Sequence, residues 1–221
     1  MVTNLFIGAH PDDIEIGCGG TVAKLVEEGQ KCIFVIATKG DQGSLKYSTE
    51  ELAEIRKKEA IASADFLGAH EIEFLELADG LTRYEFSDKI KLIEIIRRYK
   101  PFTIFTHSQF DRHPDHKIIH ELTVTSIKSA AGPWFKEAKG KPHHVSNILG
   151  YEVWNPINEY QTAVDITQYL DKKLAALALH KSQTEDYPYT SGVQGLANYR
   201  GAMINGHGSA EVYEVLRLKT Y

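Results

Sequence analysis

Short strand-like runs alternate with amphipathic segments along the first half of the chain. Residues 5–9, 32–37 and 102–106 are rich in apolar and β-branched residues and have the length of strands. Runs of this kind are typical of parallel strands whose two faces are both covered by helices. Residues 72–77 alternate between polar and apolar instead, which predicts an edge or half-exposed strand.

The segments between these runs have helical periodicity. Val22, Leu25 and Val26 recur at i, i+3 and i+4, and Gly29 is expected to end that helix. Strand, helix and strand in succession predict a βαβ unit with a right-handed crossover. We therefore expect an α/β fold, a Rossmann-like three-layer sandwich with a mainly parallel sheet. At 221 residues, the chain fits a single domain over 1–221.

Three more helices have recognisable starting residues. Ser48 and Glu51 have the spacing of a capping box, Ser87 is expected to cap the next helix, and Pro114 suits the first turn of a helix over 115–130. The helix after Ser48 is predicted to have an apolar face formed by Leu52, Ile55, Ala62 and Phe66.

The last third of the chain is less regular. Its periodicity predicts a helix over 168–180 and three strands, at 148–154, 163–165 and 212–218. Residues 183–198 are polar and contain two glycines, so we expect a mobile flap there that carries Tyr187 and Tyr189.

Composition narrows the class of protein. The net charge is −5 and no long basic run occurs, which argues against a nucleic-acid partner. The two cysteines are too few for a disulfide framework and suit a reducing compartment. The apolar run near the start is too short for a signal or membrane segment. We therefore expect a cytoplasmic protein without a membrane span.

The first candidate for chemistry lies directly after the first predicted strand. His10, Asp12, Asp13 and Glu15 place one imidazole and three carboxylates within six residues. Neighbouring unpaired carboxylates repel each other, and one of them would take a raised pKa. A divalent metal ion removes that conflict, so this cluster indicates a metal site.

A second cluster of the same chemistry follows the strand over 102–106. It contains Asp111, His113, Asp115 and His116. Both clusters leave the carboxyl ends of predicted parallel strands, where open α/β sheets place their ligand sites. Two histidines and one carboxylate from the two clusters would make the three-ligand set of a catalytic zinc, with a fourth position for water. Spacing alone does not decide which histidine of the second cluster is the ligand.

These residues resemble a known family. The sequence Ala-His-Pro-Asp-Asp-Ile-Glu over 9–15, together with His-Pro-Asp-His over 113–116, resembles the zinc-dependent deacetylases of the LmbE-like, or PIG-L, family. Residues 38–43 and 56–59 extend the resemblance, which runs to about residue 130 and more faintly through 181–183. The family includes bacterial deacetylases of bacillithiol and mycothiol synthesis.

The resemblance implies a role for most of the cluster. His10, Asp13 and His116 look like the metal ligands, and the metal-bound water would attack the acetyl carbon. Asp12 looks like the general base that deprotonates this water. His113 looks like the group that polarises the acyl oxygen or protonates the leaving amine.

Two further positions are implied with open questions. Asp115 looks like the carboxylate that orients His113. Arg56 resembles an arginine that holds Asp12 or binds a substrate hydroxyl, and its plain alternative is a pair with Glu59 on a solvated helix face. Some family members have a tyrosine shortly before the second cluster, where this chain has Phe110. The role of assisting at the oxyanion is then either unfilled or falls to His113 or to a residue of the late polar loop.

The function that the resemblance implies is removal of an acetyl group from an N-acetylglucosaminyl substrate by a homo-oligomeric enzyme. Zinc is the expected metal, with iron or another divalent ion as the alternative. The same ligand types also form the facial triad of non-haem iron oxygenases. Gly17 and Gly19 suggest a nucleotide-binding protein, but Val22 replaces the third glycine of that fingerprint.

Four other residues near the clusters receive plainer interpretations. Glu15 is expected to be a partner of a ligand histidine rather than a ligand itself. His107 and His120 are expected at the rim and on a helix face. Cys18 is expected to be a small buried residue between glycines.

Overall fold

One seven-stranded sheet organises the protein. A computed structural model describes residues 1–80, 83–185 and 187–219. The strands are β1 Thr3–Gly8, β2 Lys31–Thr38, β3 Glu71–Leu77, β4 Thr103–His107, β5 Asn147–Tyr151, β6 Thr162–Asp165 and β7 Ala210–Arg217. The helices are α1 Asp13–Glu27, α2 Thr49–Leu67, α3 Phe86–Tyr99, α4 Pro114–Ala130, α5 Leu170–Leu177, α6 Lys181–Thr184 and α7 Tyr189–Asn205, with a 3₁₀ turn at Thr167–Tyr169.

The strand order is β3-β2-β1-β4-β5-β7-β6. The first five strands in this order pair in parallel, and β7 pairs antiparallel with both β5 and β6. The predicted α/β class, the mainly parallel sheet and the edge position of the strand over 72–77 are confirmed.

The two faces of the sheet explain why the apolar runs do not alternate. On β1, Leu5 and Ile7 pack on one face with apolar side chains of α3 and α4. Phe6 packs on the other face with side chains of α1 and α2, and its ring stacks on Phe105 of β4 at 4.4 Å. Both sides of a central strand are therefore covered, which gives the three layers of the sandwich.

The start of α2 is as predicted, but its buried face is different. The capping box is present, since Ser48 Oγ accepts from the backbone of Glu51 and the Glu51 carboxylate accepts from the backbone of Ser48. The expected apolar face is wrong at Ala62 and Phe66, and Phe66 is 47% exposed. The buried residues of α2 are Leu52, Arg56, Ala60, Ser63, Ala64 and Leu67. The buried face includes polar residues because they serve the site described below.

Other boundaries also differ from the predictions. α3 begins at Phe86, and Glu85 rather than Ser87 occupies the cap position, in a capping box with Asp88. β5 ends at Tyr151, because the next residue, Glu152, leaves the sheet for a buried pair with Arg200. The helix expected over 168–180 is a 3₁₀ turn followed by the shorter α5.

The expected mobile flap is wrong over residues 189–198, which form the first half of α7. Ala197 and Arg200 of this helix are buried, and Arg200 Nη2 donates to Glu152 Oε2 at 2.7 Å. These contacts hold the helix in place despite Gly192 and Gly195, whose helix propensity is low. Residue 186, also within the predicted flap, lies outside the described residues.

The glycines after β1 allow close packing of α1. A Cβ on Gly17 would lie 2.3 Å from the ring of Tyr151, and a Cβ on Gly20 would lie 2.7 Å from Ile166. Gly17 and Gly19, which suggested a nucleotide-binding protein, are buried inside α1 rather than in a turn before it, so the reason for that interpretation is removed. Within the described ranges, no helix is both long and apolar enough to cross a membrane.

Candidate metal centre

The two acidic and histidine-rich clusters meet at one edge of the sheet. The first cluster follows β1 and the second follows β4, and these strands are parallel neighbours with Phe6 opposite Phe105. Their carboxyl ends therefore point the same way, and the loops after them converge. Asp12, at the start of α1, has a φ of 124°, a conformation that side-chain-bearing residues rarely adopt. Such strain is typical of functional sites.

The three predicted ligand side chains form a triangle of close contacts, which involves one nitrogen of each histidine and both oxygens of Asp13. His10 Nδ1 lies 3.3 Å from His116 Nε2, and these nitrogens lie 3.4 Å from Oδ2 and Oδ1 of Asp13, respectively. Ligands about 2.0–2.1 Å from a tetrahedral zinc are about 3.3–3.4 Å apart, so each of these contacts has the spacing of two ligands of such an ion. His113 is a further donor close to His10 and His116, and His107 is another beside Asp13 and His116.

Asp13 is the electrostatic centre of this group. Burial acts to raise the pKa of its carboxyl group, but the nearby imidazoles of His116, His10 and His107 hold the pKa well below its usual range. Its Oδ2 also accepts a hydrogen bond from the His10 backbone N–H at 2.7 Å. Asp13 is therefore a charged carboxylate at the bottom of the site, which suits a cation.

Carboxylates lie against the other nitrogens of both predicted histidine ligands. Asp111 Oδ2 lies 3.1 Å from His116 Nδ1, while Asp115 Oδ2 and Asp79 Oδ1 lie 3.0 and 3.2 Å from His10 Nε2. Carboxylates in this position fix the ring orientation of a metal-binding histidine. Asp79 and this contact of Asp111 were not predicted from the sequence.

The side chain of Asp115 makes its contacts elsewhere, so the expectation that it orients His113 is wrong. Asp115 Oδ2 accepts from the backbone N–H of Gly80 and contacts His10 instead. His113 precedes α4 and has an extended backbone, whereas Asp115 lies in the first turn of the helix, so the two side chains leave the chain in different directions. They therefore face different parts of the site.

Asp12 lies beside the triangle and is held by Arg56. Arg56 Nη2 donates to Asp12 Oδ1 at 3.2 Å and to the Pro11 carbonyl at 2.7 Å, and Nη1 donates to the Gly40 carbonyl at 3.0 Å. Burial raises the pKa of Asp12 to about 6, with Arg56 acting to lower it and Asp13 acting to raise it. The carboxyl group can therefore exchange a proton near neutral pH.

Arg56 is only 4% exposed, so the alternative interpretation, a pair with Glu59 on a solvated helix face, is wrong. Glu59 instead accepts hydrogen bonds from the backbone N–H and the hydroxyl of Ser182, at 2.8 and 2.6 Å. This contact joins the two segments of the chain where the resemblance to the family was noted, 56–59 and 181–183.

His113 stands at the open side of the centre. Its ring lies edge-on to His10 with centroids 4.9 Å apart, and its backbone N–H donates to Asp111 Oδ1 at 2.9 Å. Burial lowers the pKa of His113, and the neighbouring His116 and His10 lower it further. A neutral imidazole at this position can donate one hydrogen bond to a substrate.

His107 is part of the centre, not of its rim. It is fully buried, its Nε2 accepts from the Ala9 backbone N–H at 2.8 Å, and its ring stacks on His116 at 3.9 Å. Burial lowers its pKa to about 4, with His116 acting in the same direction and Asp13 against it. His120, which is partly buried on α4, contacts the His107 carbonyl through Nδ1 at 2.8 Å.

Glu15 does not contact a predicted ligand histidine, so that expectation is wrong. It accepts from Ser63 Oγ at 2.6 Å and pairs with His180 at 3.3 Å, and all three side chains are buried. His180 has no sequence spacing that connects it to either cluster, and it was missed. Cys18 is buried as expected.

A cleft of about 310 Å³ opens onto the centre. It is lined by groups of the site, including Asp12, Asp13 and His113, and by the side chains of Tyr187 and Tyr189 from the segment at the start of α7. The volume falls in the range of small-molecule sites. The centre is therefore accessible to a ligand with about the bulk of a sugar.

Known proteins share this sequence pattern and fold. Residues 5–127 match the family model PIG-L, described as GlcNAc-PI de-N-acetylase. The diacetylchitobiose deacetylase of Thermococcus kodakarensis is 30% identical, in an alignment that covers 94% of this chain and 80% of that protein.

Two solved structures superpose over nearly the whole chain. The N,N′-diacetylchitobiose deacetylase of Pyrococcus horikoshii is 29% identical, with a TM-score of 0.85, and the match covers 97% of this chain and 83% of that one. GalB, the 4-carboxy-2-hydroxymuconate hydratase of Pseudomonas putida KT2440, is 23% identical with a TM-score of 0.89, and the match covers 100% of this chain and 98% of that one. At this level of identity the match shows the shared fold alone. Because the family model matches more than half of the chain and a relative is 30% identical over most of it, the chain belongs to the PIG-L, or LmbE-like, family.

Proposed function

We propose that this protein is a zinc-dependent N-deacetylase that hydrolyses the acetamide of an N-acetylglucosaminyl substrate. The observation that carries the proposal is the triangle of close contacts among His10, Asp13 and His116 with the Asp12 carboxylate beside it, open to a cleft. The relatives named as deacetylases of diacetylchitobiose support the substrate class.

His10, Asp13 and His116 would hold the metal. The donor types and their spacing suit zinc with one position left for water, and the same donor types also suit Fe²⁺. When bound, such an ion lowers the pKa of a coordinated water toward about 7 and polarises an acyl oxygen. The carboxylates against His10 and His116 keep both rings turned toward the ion.

Asp12 is proposed as the general base. A base works best when its pKa is near the working pH, and burial brings the pKa of Asp12 to about 6. The hydrogen bond from Arg56 fixes one carboxylate oxygen, so the other oxygen is left for the attacking water. Arg56 is thus proposed as a positioning residue rather than a substrate-binding one, because both of its terminal nitrogens already donate to the protein, to the Gly40 and Pro11 carbonyls and to Asp12.

His113 is proposed to assist at the acyl oxygen and the leaving amine. Its lowered pKa keeps it neutral at pH 7, so that it can donate a hydrogen bond without adding a charge beside the cation. Tyr187 and Tyr189 also line the cleft and are the residues of the late segment that could contact the substrate.

The test is acetate release from a panel of N-acetylglucosaminides. The protein is stripped of metal and then reconstituted with Zn²⁺, or with Fe²⁺ under anaerobic conditions, and metal content is measured on the same samples. We expect acetate release to require metal, and the metal content to reach one ion per chain at saturation. Metal binding without acetate release from any member would overturn the proposed reaction while leaving the metal site in place.

A further inference from the structure

A second cavity adjoins the catalytic cleft. It has a volume of about 320 Å³ and lies between α1, the segment after β5, and one side of α7. We call it the apolar chamber, because Val153, Val193, Leu196 and Ala197 form much of its wall. Its volume lies at the lower end of the range for small-molecule sites.

The apolar chamber and the catalytic cleft share a wall. Ile16, Trp154, Tyr187 and Tyr189 line both spaces. The ring of Tyr189 lies 5.5 Å from that of Tyr187, nearly parallel to it, and 5.7 Å edge-on from that of Trp154. A ligand bound at the metal centre therefore reaches the apolar chamber by passing an aromatic junction.

The charged groups of the chamber wall already have partners within the protein. Glu152 accepts two hydrogen bonds from Arg200, at 2.7 and 3.2 Å, and pairs also with the Ile157 N–H. Lys173 donates to Glu211, a buried carboxylate.

Glu211 is satisfied further by α1. Its two oxygens accept from the backbone N–H groups of Gly20 and Thr21, at 2.9 and 2.7 Å, and from the Thr21 hydroxyl at 2.6 Å. A second sugar in the chamber would give up hydrogen bonds to water without a comparable set of replacements there. An apolar group would give up no hydrogen bonds to water and would be stabilised by the burial of its surface.

We propose that the apolar chamber binds an alkyl or aryl aglycone of the N-acetylated sugar whose acetamide lies at the metal centre. This inference rests on the proposed function and narrows its substrate class. The sugar ring then lies at the aromatic junction, and the apolar group enters between α1 and α7. The favoured substrate is an amphipathic glycoside rather than an oligosaccharide.

The experiment compares aglycones of increasing apolar size. Acetate release is measured with methyl, butyl, hexyl and phenyl N-acetylglucosaminides, as both anomers, and with diacetylchitobiose as the polar aglycone. Because each buried methylene contributes about fourfold in affinity, we expect kcat/KM to rise at least about tenfold from methyl to hexyl. We expect diacetylchitobiose to be no better than the methyl glycoside. A flat series, or preference for diacetylchitobiose, would overturn the inference.

Binding separates this inference from the proposed function. The Kd of each glycoside is measured by calorimetry on the zinc-loaded Asp12→Asn variant. Graded binding without acetate release by the wild type would support the chamber and refute the deacetylase. Acetate release with the same Kd for methyl and hexyl glycosides would support the deacetylase and refute the chamber.

Two glycines of α7 provide a matched pair of variants. A Cβ on either Gly192 or Gly195 would meet open space, but only Gly192 lines the apolar chamber. In Gly192→Phe we expect the hexyl-to-methyl ratio of kcat/KM to fall to within about twofold of one, and in Gly195→Phe to stay at the wild-type value. Leu196→Asn, which places an amide in the chamber, should lower the ratio in the same way. A wild-type ratio in both chamber variants would refute the assignment.

Discussion

Replacing Arg56 by glutamine tests whether this side chain sets the protonation of Asp12. The substitution removes a buried cation whose Nη2 lies 3.2 Å from Asp12 Oδ1. A cation at such a distance lowers a carboxyl pKa by about 1–3 units, so its loss should raise the pKa of Asp12 from about 6 to about 7–9. We expect the acid limb of kcat/KM to move up by about 1–3 units, so that at a pH on this limb the variant is about ten- to a thousandfold slower than the wild type and recovers at higher pH.

The assay is the pH profile of kcat/KM between about pH 5 and 9. A bound divalent cation lowers the pKa of Asp12 in wild type and variant alike, so the difference between their acid limbs is the quantity to compare. Arg56→Lys keeps a cation and should keep the limb close to that of the wild type.

Arg97 is a matched control for the loss of a buried guanidinium. It is 4% exposed, like Arg56, but donates to the carbonyls of Ala130, Gly132 and Ala138, away from the site. Arg97→Gln should lower the free energy of unfolding without moving the acid limb. An unchanged acid limb in Arg56→Gln would refute the reasoning.

Three other substitutions test separate contacts of the site and its support. His116→Ala should weaken zinc binding at least about tenfold, measured as metal retained by folded protein after dialysis, and full retention would exclude it as a ligand. His180→Leu leaves Glu15 buried without its partner and should lower the free energy of unfolding by about 3–5 kcal/mol. The loss is measured in urea titrations at pH 7, and an unchanged midpoint would show that buried Glu15 does not need this partner. Gly17→Ala should cost about 1–3 kcal/mol in the same titration, because its methyl group would lie 2.3 Å from the ring of Tyr151, and an unchanged midpoint would show that α1 can shift.

The position of the centre could be predicted because its signals are local. Each cluster follows a strand directly, and parallel strands present their carboxyl ends at one edge of the sheet. The sequence did not state that β1 and β4 are neighbours, but the placement of both clusters at strand ends made their meeting the simplest arrangement. His10, Asp13 and His116 do come together, and their role as ligands remains a prediction.

The buried face of α2 could not be predicted from apolar periodicity. Arg56 and Ser63 face inward because one holds Asp12 and the other donates to Glu15, whereas Phe66 faces solvent. A helix that supports a polar site buries side chains that a hydrophobic pattern assigns to the surface.

The supporting residues could not be predicted because each is isolated in sequence. Asp79 follows β3, and His180 follows α5, far from either cluster. Asp79 contacts His10 and His180 pairs with Glu15, both across long stretches of sequence, which leaves no spacing to detect. In α7, the glycines indicated a loop, but burial of Ala197 and Arg200 against the rest of the protein outweighs their low helix propensity.

The central claim is that Asp12 removes a proton from water beside a metal held by His10, Asp13 and His116. Its most direct test is acetate release by metal-stripped and zinc-reconstituted protein, for the wild type and Asp12→Asn, with zinc content measured on the same samples. We predict that the wild type releases acetate only with metal, and that Asp12→Asn binds one zinc per chain but is at least about a hundredfold slower. Near wild-type turnover by zinc-loaded Asp12→Asn would contradict the account.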